Sequence, residues 1–248
     1  MLPPIARLKV ALNGGRPPGA HPGLPCSPDE LAAAAQAAVA AGAEAVHLHP
    51  RAESGAESLA AADVGAAVAA VRRKCPATPV GVTTGLWITG GDAGARQAAV
   101  AGWAGLSPYE MPDFASVNVS EAGFTALAAT LGELGIAVEA GVWSLQDAGA
   151  LSIAADVPRV LVEIMGPGDD PETILARLDE VGVAGERLLH GEGARCWPIV
   201  ALAGRLGLPT RIGLEDTLAG PDGAPVADNA GLVRLALNVW SRSRASAG

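Results

Sequence analysis

The chain has 248 residues, half of them apolar, and its formal net charge of −9 argues against a nucleic-acid-binding protein, which needs a basic face. Its three widely spaced cysteines form no Cys-x-x-Cys pair, which argues against a disulfide framework or a thiolate zinc site and predicts a reducing, cytoplasmic location. We expect neither a signal peptide nor a membrane span, because the N-terminus lacks a charged segment before an apolar run and the alanine-rich run Leu31–Val46 is short for a span.

Short runs typical of buried strands alternate with longer, alanine-rich helical segments along the chain. The predicted strands are Leu8–Leu12, Ala45–His49, Val80–Thr83, Ala115–Val119, Ala137–Gly141, Val160–Met165, Arg187–His190 and Thr210–Leu214. Ser27 and Asp170 are predicted N-caps, since each precedes a proline at the first helical position. Asp92 precedes a predicted helix Ala93–Trp103, and Ser120 precedes a predicted helix Glu121–Leu134.

Eight strand–helix repeats in a chain of this length predict an α/β protein, a single-domain (β/α)8 barrel over residues 1–248. The structural rival is a doubly wound open sheet. Such a sheet often carries a glycine-rich dinucleotide loop after its first strand, whereas Asn13-Gly14-Gly15-Arg16 lacks the Gly-x-Gly-x-x-Gly spacing. The barrel interpretation places the active site at the carboxyl ends of the strands.

The most informative motif is His47-Leu48-His49 at the end of the second strand. Side chains alternate along a strand, so both imidazoles lie on one face and favour a shared divalent metal. Glu215 ends strand eight and can complete a set of two histidines and a carboxylate, with coordination positions left for a substrate. Asp216, beside Arg211, is a candidate base. The alternatives are core histidines with ordinary hydrogen bonds and a carboxylate pair that caps a helix.

Other polar side chains fall regularly at predicted strand ends. They are Asn13, Arg16, Arg51, Thr83, Thr84, Ser116, Asn118, Glu139, Glu163, His190 and Glu192. Thr83-Thr84-Gly85 is equally consistent with a turn and an N-cap, and Arg51 with a surface ion pair. His190 is as consistent with a substrate contact as with a metal ligand. The five tryptophans are assigned to the core or an interface by default, except Trp87, which is placed to line the pocket.

Three motifs together resemble the β-keto acid cleavage enzymes, typified by 3-keto-5-aminohexanoate cleavage enzyme. They are Val46-His47-Leu48-His49-Pro50-Arg51, Val82-Thr83-Thr84-Gly85 and Arg211-Ile212-Gly213-Leu214-Glu215-Asp216. Weaker likeness lies in Ala11-Leu12-Asn13-Gly14, Ala115-Ser116-Val117-Asn118 and Asp228-Asn229-Ala230-Gly231-Leu232-Val233.

The resemblance implies a (β/α)8 barrel that binds Zn²⁺ through His47, His49 and Glu215. It implies condensation of a β-keto acid with acetyl-CoA and cleavage of the adduct to acetoacetate and a new acyl-CoA. Asp216 would act as base together with Arg211. The remaining implied assignments are Thr83 and Glu139 as catalytic or supporting residues, Asn13, Arg16, Thr84, Gly85, Asn118 and His190 as substrate-binding residues, and a homo-oligomeric assembly.

The chain departs from the family's pattern at several positions. Ala52 stands where an aspartate is common, Thr217 where an asparagine is common, and the stretch around His190 is unusual. Arg16 replaces the glutamate of the amino-substrate member, which predicts a neutral or anionic substrate tail. Two rival functions are a zinc hydrolase of the amidohydrolase type and a non-catalytic barrel that binds a metal or metabolite. The hydrolase would place its His-x-His on strand one and further histidines on strands five and six.

Overall fold

In a computed structural model, the eight predicted strands form one closed parallel barrel in chain order, which confirms the (β/α)8 fold. The structure describes residues 2–151, 157–166, 168 and 170–247. The strands are β1 Leu8–Ala11, β2 Ala45–Leu48, β3 Val80–Thr83, β4 Phe114–Asn118, β5 Ala137–Val142, β6 Arg159–Ile164, β7 Glu186–Gly191 and β8 Thr210–Ile212. Closure is seen at Lys9, which is in register with Ala45 of β2 and with Arg211 of β8.

Helices follow the strands around the barrel. They are α1 Pro28–Ala40, α2 Ala61–Lys74, α3 Ala93–Ala101, α4 Phe124–Glu133, α5 Leu145–Leu151, α6 Pro171–Glu180, α7 Cys196–Leu206 and α8 Asn229–Ala245, with 3-10 helices at Leu86–Thr89, Gly102–Gly105 and Gly193–Arg195. The predicted caps at Ser27, Asp92 and Asp170 are confirmed, because each side chain accepts a hydrogen bond from the first turn of its helix. Among the described helices, none is long and apolar enough to cross a membrane.

The predicted start of α4 at Ser120 and Glu121 is wrong. The helix begins at Phe124, after Gly123 in the left-handed region (φ 81°). The Glu121 carboxylate is used elsewhere, since it pairs with Arg96 and accepts from the backbone N–H of Leu86. A long-range ion pair therefore replaces the local helix start that the sequence suggested.

The barrel floor contains charged side chains as well as apolar ones. Lys9, Glu139 and Arg159 are fully buried there, and Lys9 and Arg159 both lie against the ring of Phe114. Gly81 allows this packing, since a Cβ at that position would overlap the Phe114 ring. The floor closes the barrel below the cavity described next.

Candidate active site

A cavity of about 320 Å³ opens at the carboxyl ends of the strands, where the barrel fold places an active site. Its wall contains eight of the residues assigned a catalytic, substrate-binding or metal-binding role from the sequence: Arg16, His47, His49, Thr83, Gly85, Asn118, Arg211 and Glu215. Trp87, predicted to line the pocket, does so, and so do Ser116, Glu163 and Glu192 from the predicted strand ends. Asn13, Thr84, Glu139, His190 and Asp216 do not line it; all five are buried behind the wall.

His47, His49 and Glu215 converge as a possible metal site, with one ligand atom from each lying within 4.8 Å of the others. His47 Nε2 lies 3.8 Å from Glu215 Oε2, and His49 Nε2 lies 3.5 Å from Glu215 Oε1. Glu215 Oε2 is buried and has no hydrogen-bond partner in the described part of the chain. An unsatisfied buried carboxylate oxygen facing two imidazole nitrogens fits a bound divalent cation.

His49 is held from behind by two side chains. Its Nδ1 lies 2.5 Å from Glu57 Oε1, and both amide atoms of Asn13 bind the His49 backbone at 2.9 Å. Burial alone would lower the pKa of His49, but the Glu215 and Glu57 carboxylates raise it to about 9. A carboxylate on Nδ1 leaves Nε2 as the nitrogen available to a metal.

His47 is held through a hydroxyl group. The Ser116 Oγ lies 3.5 Å from His47 Nδ1 and donates to Glu139 Oε2 at 2.7 Å. Burial lowers the pKa of His47 well below its ordinary value, so this imidazole is neutral, the form that binds metals. Glu139 therefore lies in a supporting position under His47, one side chain away from the cavity.

Arg211 connects the candidate metal ligands to a buried aspartate. Its Nη2 donates to Glu215 Oε1 at 2.6 Å and to Asp216 Oδ1 at 2.7 Å, while its guanidinium faces the cavity. Burial opposes the charge, but the surrounding carboxylates raise the pKa of Arg211 well above its ordinary value. Arg211 is thus a permanent cation in the wall, and Asp216 lies directly behind it.

Glu163 and His190 form a second acid–imidazole pair beside Arg211. Glu163 Oε2 lies 2.8 Å from His190 Nε2, and Glu163 Oε1 accepts from Trp143 Nε1 at 3.0 Å. Burial would raise the pKa of Glu163, but His190 and Arg211 lower it, so the carboxylate is ionised. His190 Nδ1 lies 3.7 Å from Asp216 Oδ1, and no described atom forms a hydrogen bond with it.

The loops of β1 and β2 are fastened by two arginines. Arg51 donates to the carbonyls of Gly14 and Arg16 at 2.8 and 2.6 Å, and Arg16 donates to those of Leu214 and Glu215 at 2.5 and 3.1 Å. Arg51 is buried rather than part of a surface ion pair. These contacts join the ends of β2 and β8, which carry the three candidate metal ligands.

On the β3–β4 side, the wall offers hydroxyl and amide groups. Thr83 Oγ1 accepts from the Gly85 backbone N–H at 3.1 Å, and no residue in the described part of the chain accepts its own hydrogen, which can bind a ligand. Asn118 donates to Glu121 at 2.9 Å. Thr84 instead donates to the Ser116 carbonyl at 2.6 Å, and its role is to tie β3 to β4.

Sequence reasoning missed three residues of this site. Glu57 lies in the loop after His49, and its eight-residue separation from His49 matches neither a strand nor a helix pattern that would place the two side chains together. Trp143 was assigned to the core or an interface, yet it is 39% exposed and lines the cavity. Lys9 was detectable in one respect: a lysine inside an apolar strand indicates a buried partner of opposite charge.

The model of the beta-keto acid cleavage enzyme family matches residues 6–245. No curated protein sequence matches the chain. Among solved structures, a binary complex of ObcA with oxaloacetate has a TM-score of 0.64 and 17% identity, covering 91% of this chain and 63% of that one. A ternary complex of ObcA with a C4-CoA adduct and oxalate has a TM-score of 0.65 with the same identity and coverage. The chain thus spans less than two thirds of ObcA.

A solved structure of a different protein is similar in fold alone. The tryptophan synthase alpha chain from Legionella pneumophila has a TM-score of 0.59 at 12% identity, covering 98% of this chain and 93% of that one. At these identities, the structural likeness shows the barrel, and the family model supplies the more specific relationship.

Proposed function

Because the chain belongs to the β-keto acid cleavage enzyme family, we propose that it condenses a β-keto acid with acetyl-CoA and cleaves the adduct to acetoacetate and a new acyl-CoA. The observation that carries this proposal is the convergence of His47, His49 and Glu215 beside Arg211 on one cavity. Oxaloacetate and a C4-CoA adduct, named as ligands of ObcA, belong to the same two chemical classes as the proposed substrates.

The proposed cofactor is Zn²⁺, held by Nε2 of His47, Nε2 of His49 and the carboxylate of Glu215. Two imidazoles and one carboxylate are a common zinc donor set, and they leave positions for substrate oxygens. When bound, the ion acts as a Lewis acid toward the keto and carboxylate oxygens of the substrate.

The proposed reaction begins with loss of the C2 proton of the β-keto acid to the Asp216–Arg211 pair. Arg211 faces the cavity and donates to Asp216 Oδ1, 2.7 Å behind it. In the proposed transfer, Arg211 passes the proton of this N–H to Asp216 as it takes the C2 proton, so the guanidinium keeps its single positive charge and Asp216 is the final acceptor. The electron pair left on C2 attacks the acetyl carbonyl of acetyl-CoA, and the CoA thiolate leaves. The thiolate then attacks the original keto carbon, the C2–C3 bond breaks, and C2 takes the proton back to give acetoacetate.

Other wall residues bind and orient the substrate in this proposal. The free hydroxyl hydrogen of Thr83 and the amide of Asn118 face the cavity and can bind substrate oxygens. Gly85 leaves room for the Trp87 ring, which a Cβ there would overlap. Asn13, Thr84, Glu139 and His190 act from behind the wall, where they position His49, Ser116 and Glu163.

The test incubates zinc-loaded protein with acetyl-CoA and a panel of β-keto acids and measures acetoacetate. Turnover of at least one member is expected, and Asp216→Asn should retain zinc but lose turnover. Zinc-loaded protein that forms no acetoacetate from any member would contradict the proposal. Loss of zinc in Asp216→Asn would mean that its assignment as base is wrong.

A further inference from the structure

The cavity wall opposite the candidate metal ligands carries three large apolar side chains. In an eight-stranded closed barrel, β6 lies four strands from β2 and therefore directly across the mouth from His47 and His49. On that side the large apolar side chains are Trp143 after β5, Leu161 on β6 and Met165 after β6, and the carboxylate of Glu163, also on β6, lies among them. Trp143 and Met165 remain 39% and 47% exposed, so two large apolar side chains lie open at the cavity mouth.

Trp143 is fixed so that its ring carbons face the cavity. Its one polar atom, Nε1, donates to Glu163 Oε1 at 3.0 Å. The other oxygen of Glu163 is bound by His190, and Arg211 balances its charge at 3.8 Å. Glu163 therefore has its own partners, and the surface that this wall offers a ligand is the indole face and the methionine thioether.

Apart from the candidate metal ligands, the side chains that line the cavity carry equal numbers of positive and negative formal charges. Arg16 and Arg211 contribute two positive charges, and Glu163 and Glu192 contribute two negative charges. Two donors of Arg16 are already used on backbone carbonyls, so this residue is less available to an anion than its position in the sequence suggests. Glu192 forms hydrogen bonds among the described residues through its backbone, to Ile164 and Arg195, and its carboxylate would repel an anionic group. The two guanidinium groups would repel a cationic one.

We propose that Trp143, Leu161 and Met165 form the subsite for the substrate's tail, and that the tail is neutral and apolar, either aliphatic or aromatic. The inference rests on the proposed function, because a β-keto acid whose carboxylate and keto oxygens lie at His47 and His49 extends its tail across the mouth to this wall. Arg16 alone predicted a neutral or anionic tail, and the apolar side chains of this wall now favour the neutral one.

The first experiment compares kcat/KM for five β-keto acids with zinc-loaded protein and acetyl-CoA. The neutral series is 3-oxopentanoate, 3-oxohexanoate and 3-oxooctanoate, and the charged members are 3-oxoadipate and 5-amino-3-oxohexanoate. We expect kcat/KM to rise about fourfold for each added methylene, which corresponds to about 0.8 kcal/mol of burial. A preference for either charged member, or a flat neutral series, would overturn the inference while leaving the proposed function intact. Absence of acetoacetate from every member would overturn the proposed function itself.

The second experiment uses Trp143→Ala with Trp143→Phe and Trp87→Ala as matched controls. Trp87 is also an exposed indole whose Nε1 donates to a carboxylate, Glu57 at 2.9 Å, but it stacks beside His49. In Trp143→Ala, kcat/KM should become nearly independent of tail length. In Trp143→Phe, the increase in kcat/KM for each added methylene should be retained. Trp87→Ala should lower kcat/KM for all tails by a similar factor. An unchanged chain-length dependence in Trp143→Ala, with melting temperature and zinc content preserved, would contradict the assignment of this wall.

Discussion

Glu139 is the residue on which the buried charges of the barrel floor depend. It pairs with Lys9, lies 3.4 Å from Arg159 and accepts from Ser116, and its side chain and those of both cations are at most 1% exposed. Burial would raise the pKa of Glu139, but Lys9 and Arg159 lower it far below its ordinary range. The carboxylate therefore stays ionised beneath His47 and keeps Ser116 oriented as its donor.

We predict that Glu139→Gln lowers the free energy of unfolding by about 3–5 kcal/mol, because it leaves Lys9 and Arg159 buried without their shared anion. Urea denaturation of the zinc-free protein measures this directly. Adding Lys9→Met to the variant should recover part of the lost stability, because it removes one of the two buried cations that Glu139→Gln leaves without an anion. A double variant no more stable than Glu139→Gln would contradict the pairing argument.

The same carboxylate gives the stability a defined pH dependence. The pKa of Glu139 is lower in the folded state than in the unfolded state. Its contribution to the free energy of unfolding is therefore fully present above the unfolded-state pKa of about 4.3, and it is lost as the pH falls toward the folded-state pKa. The difference in unfolding free energy between wild type and Glu139→Gln should therefore be constant near neutrality and shrink in acid. A difference that grew below pH 4 would mean that Glu139 is not ionised in the folded state.

Glu57 is the carboxylate that orients the second histidine. We predict that Glu57→Gln weakens zinc binding about 10–100-fold, the usual effect of removing a carboxylate behind a histidine ligand. Competition with a chromogenic chelator gives the dissociation constant without reference to activity. Glu110→Gln is the matched control, since the Glu110 carboxylate is partly exposed and, among the described residues, accepts hydrogen bonds from Ser107 alone. Equal zinc affinity in the two variants would remove Glu57 from the metal site.

At the scale of elements, the candidate metal site depends on how the loops after β1, β2 and β8 are held together. Arg51 reaches the carbonyls of Gly14, Arg16 and Gly55, and Arg16 reaches the end of β8. One guanidinium can bridge three carbonyls because its donors form a planar fork, whereas a lysine ammonium is a point donor. The position of Glu215 relative to His49 is thus set partly by Arg51.

We predict that Arg51→Lys destabilises the protein by about 1–3 kcal/mol, since buried carbonyls lose their donors. Amide exchange at residues 14–16 and 214–215 should accelerate, and zinc affinity should fall. Arg72→Lys is the control, because Arg72 also donates to two carbonyls, of Pro108 and Tyr109, but far from the site. Zinc affinity that falls equally in both variants would indicate general destabilisation and not fastening of these loops.

The part of the site on the strands and directly after them was predictable from the sequence, and the part in the longer loops was not. His47 and Arg211 lie on β2 and β8, and His49 and Glu215 follow those strands within three residues, so the two-residue period of strands and barrel closure bring the four together. Glu57 reaches His49 only because its loop folds back in an antiparallel bridge with Arg51. The α4 error has the same origin, since Glu121 serves a distant arginine and not its own helix.

At the scale of the molecule, the fold separates stability from the site. The apolar core lies between the strands and the surrounding helices, and the candidate metal ligands lie at the mouth, above the charged floor. The barrel itself needs no metal to bury its core, in contrast to small zinc domains that are unfolded without the ion. Zinc should therefore add to the stability of a protein that is already folded.

We predict that zinc-free protein retains its far-ultraviolet circular dichroism and that zinc raises its melting temperature. At a free zinc concentration 100-fold above the dissociation constant, the stabilisation is about 2.7 kcal/mol. For a chain of this size that corresponds to an increase of about 5–10 °C, measurable by calorimetry. Glu215→Gln should abolish most of the increase, and Mg²⁺ should not replace zinc, because it prefers oxygen ligands to imidazole. Loss of the circular dichroism signal on chelation would show that the metal supports the barrel itself, and an unchanged melting temperature in wild type would exclude zinc from the His47–His49–Glu215 site.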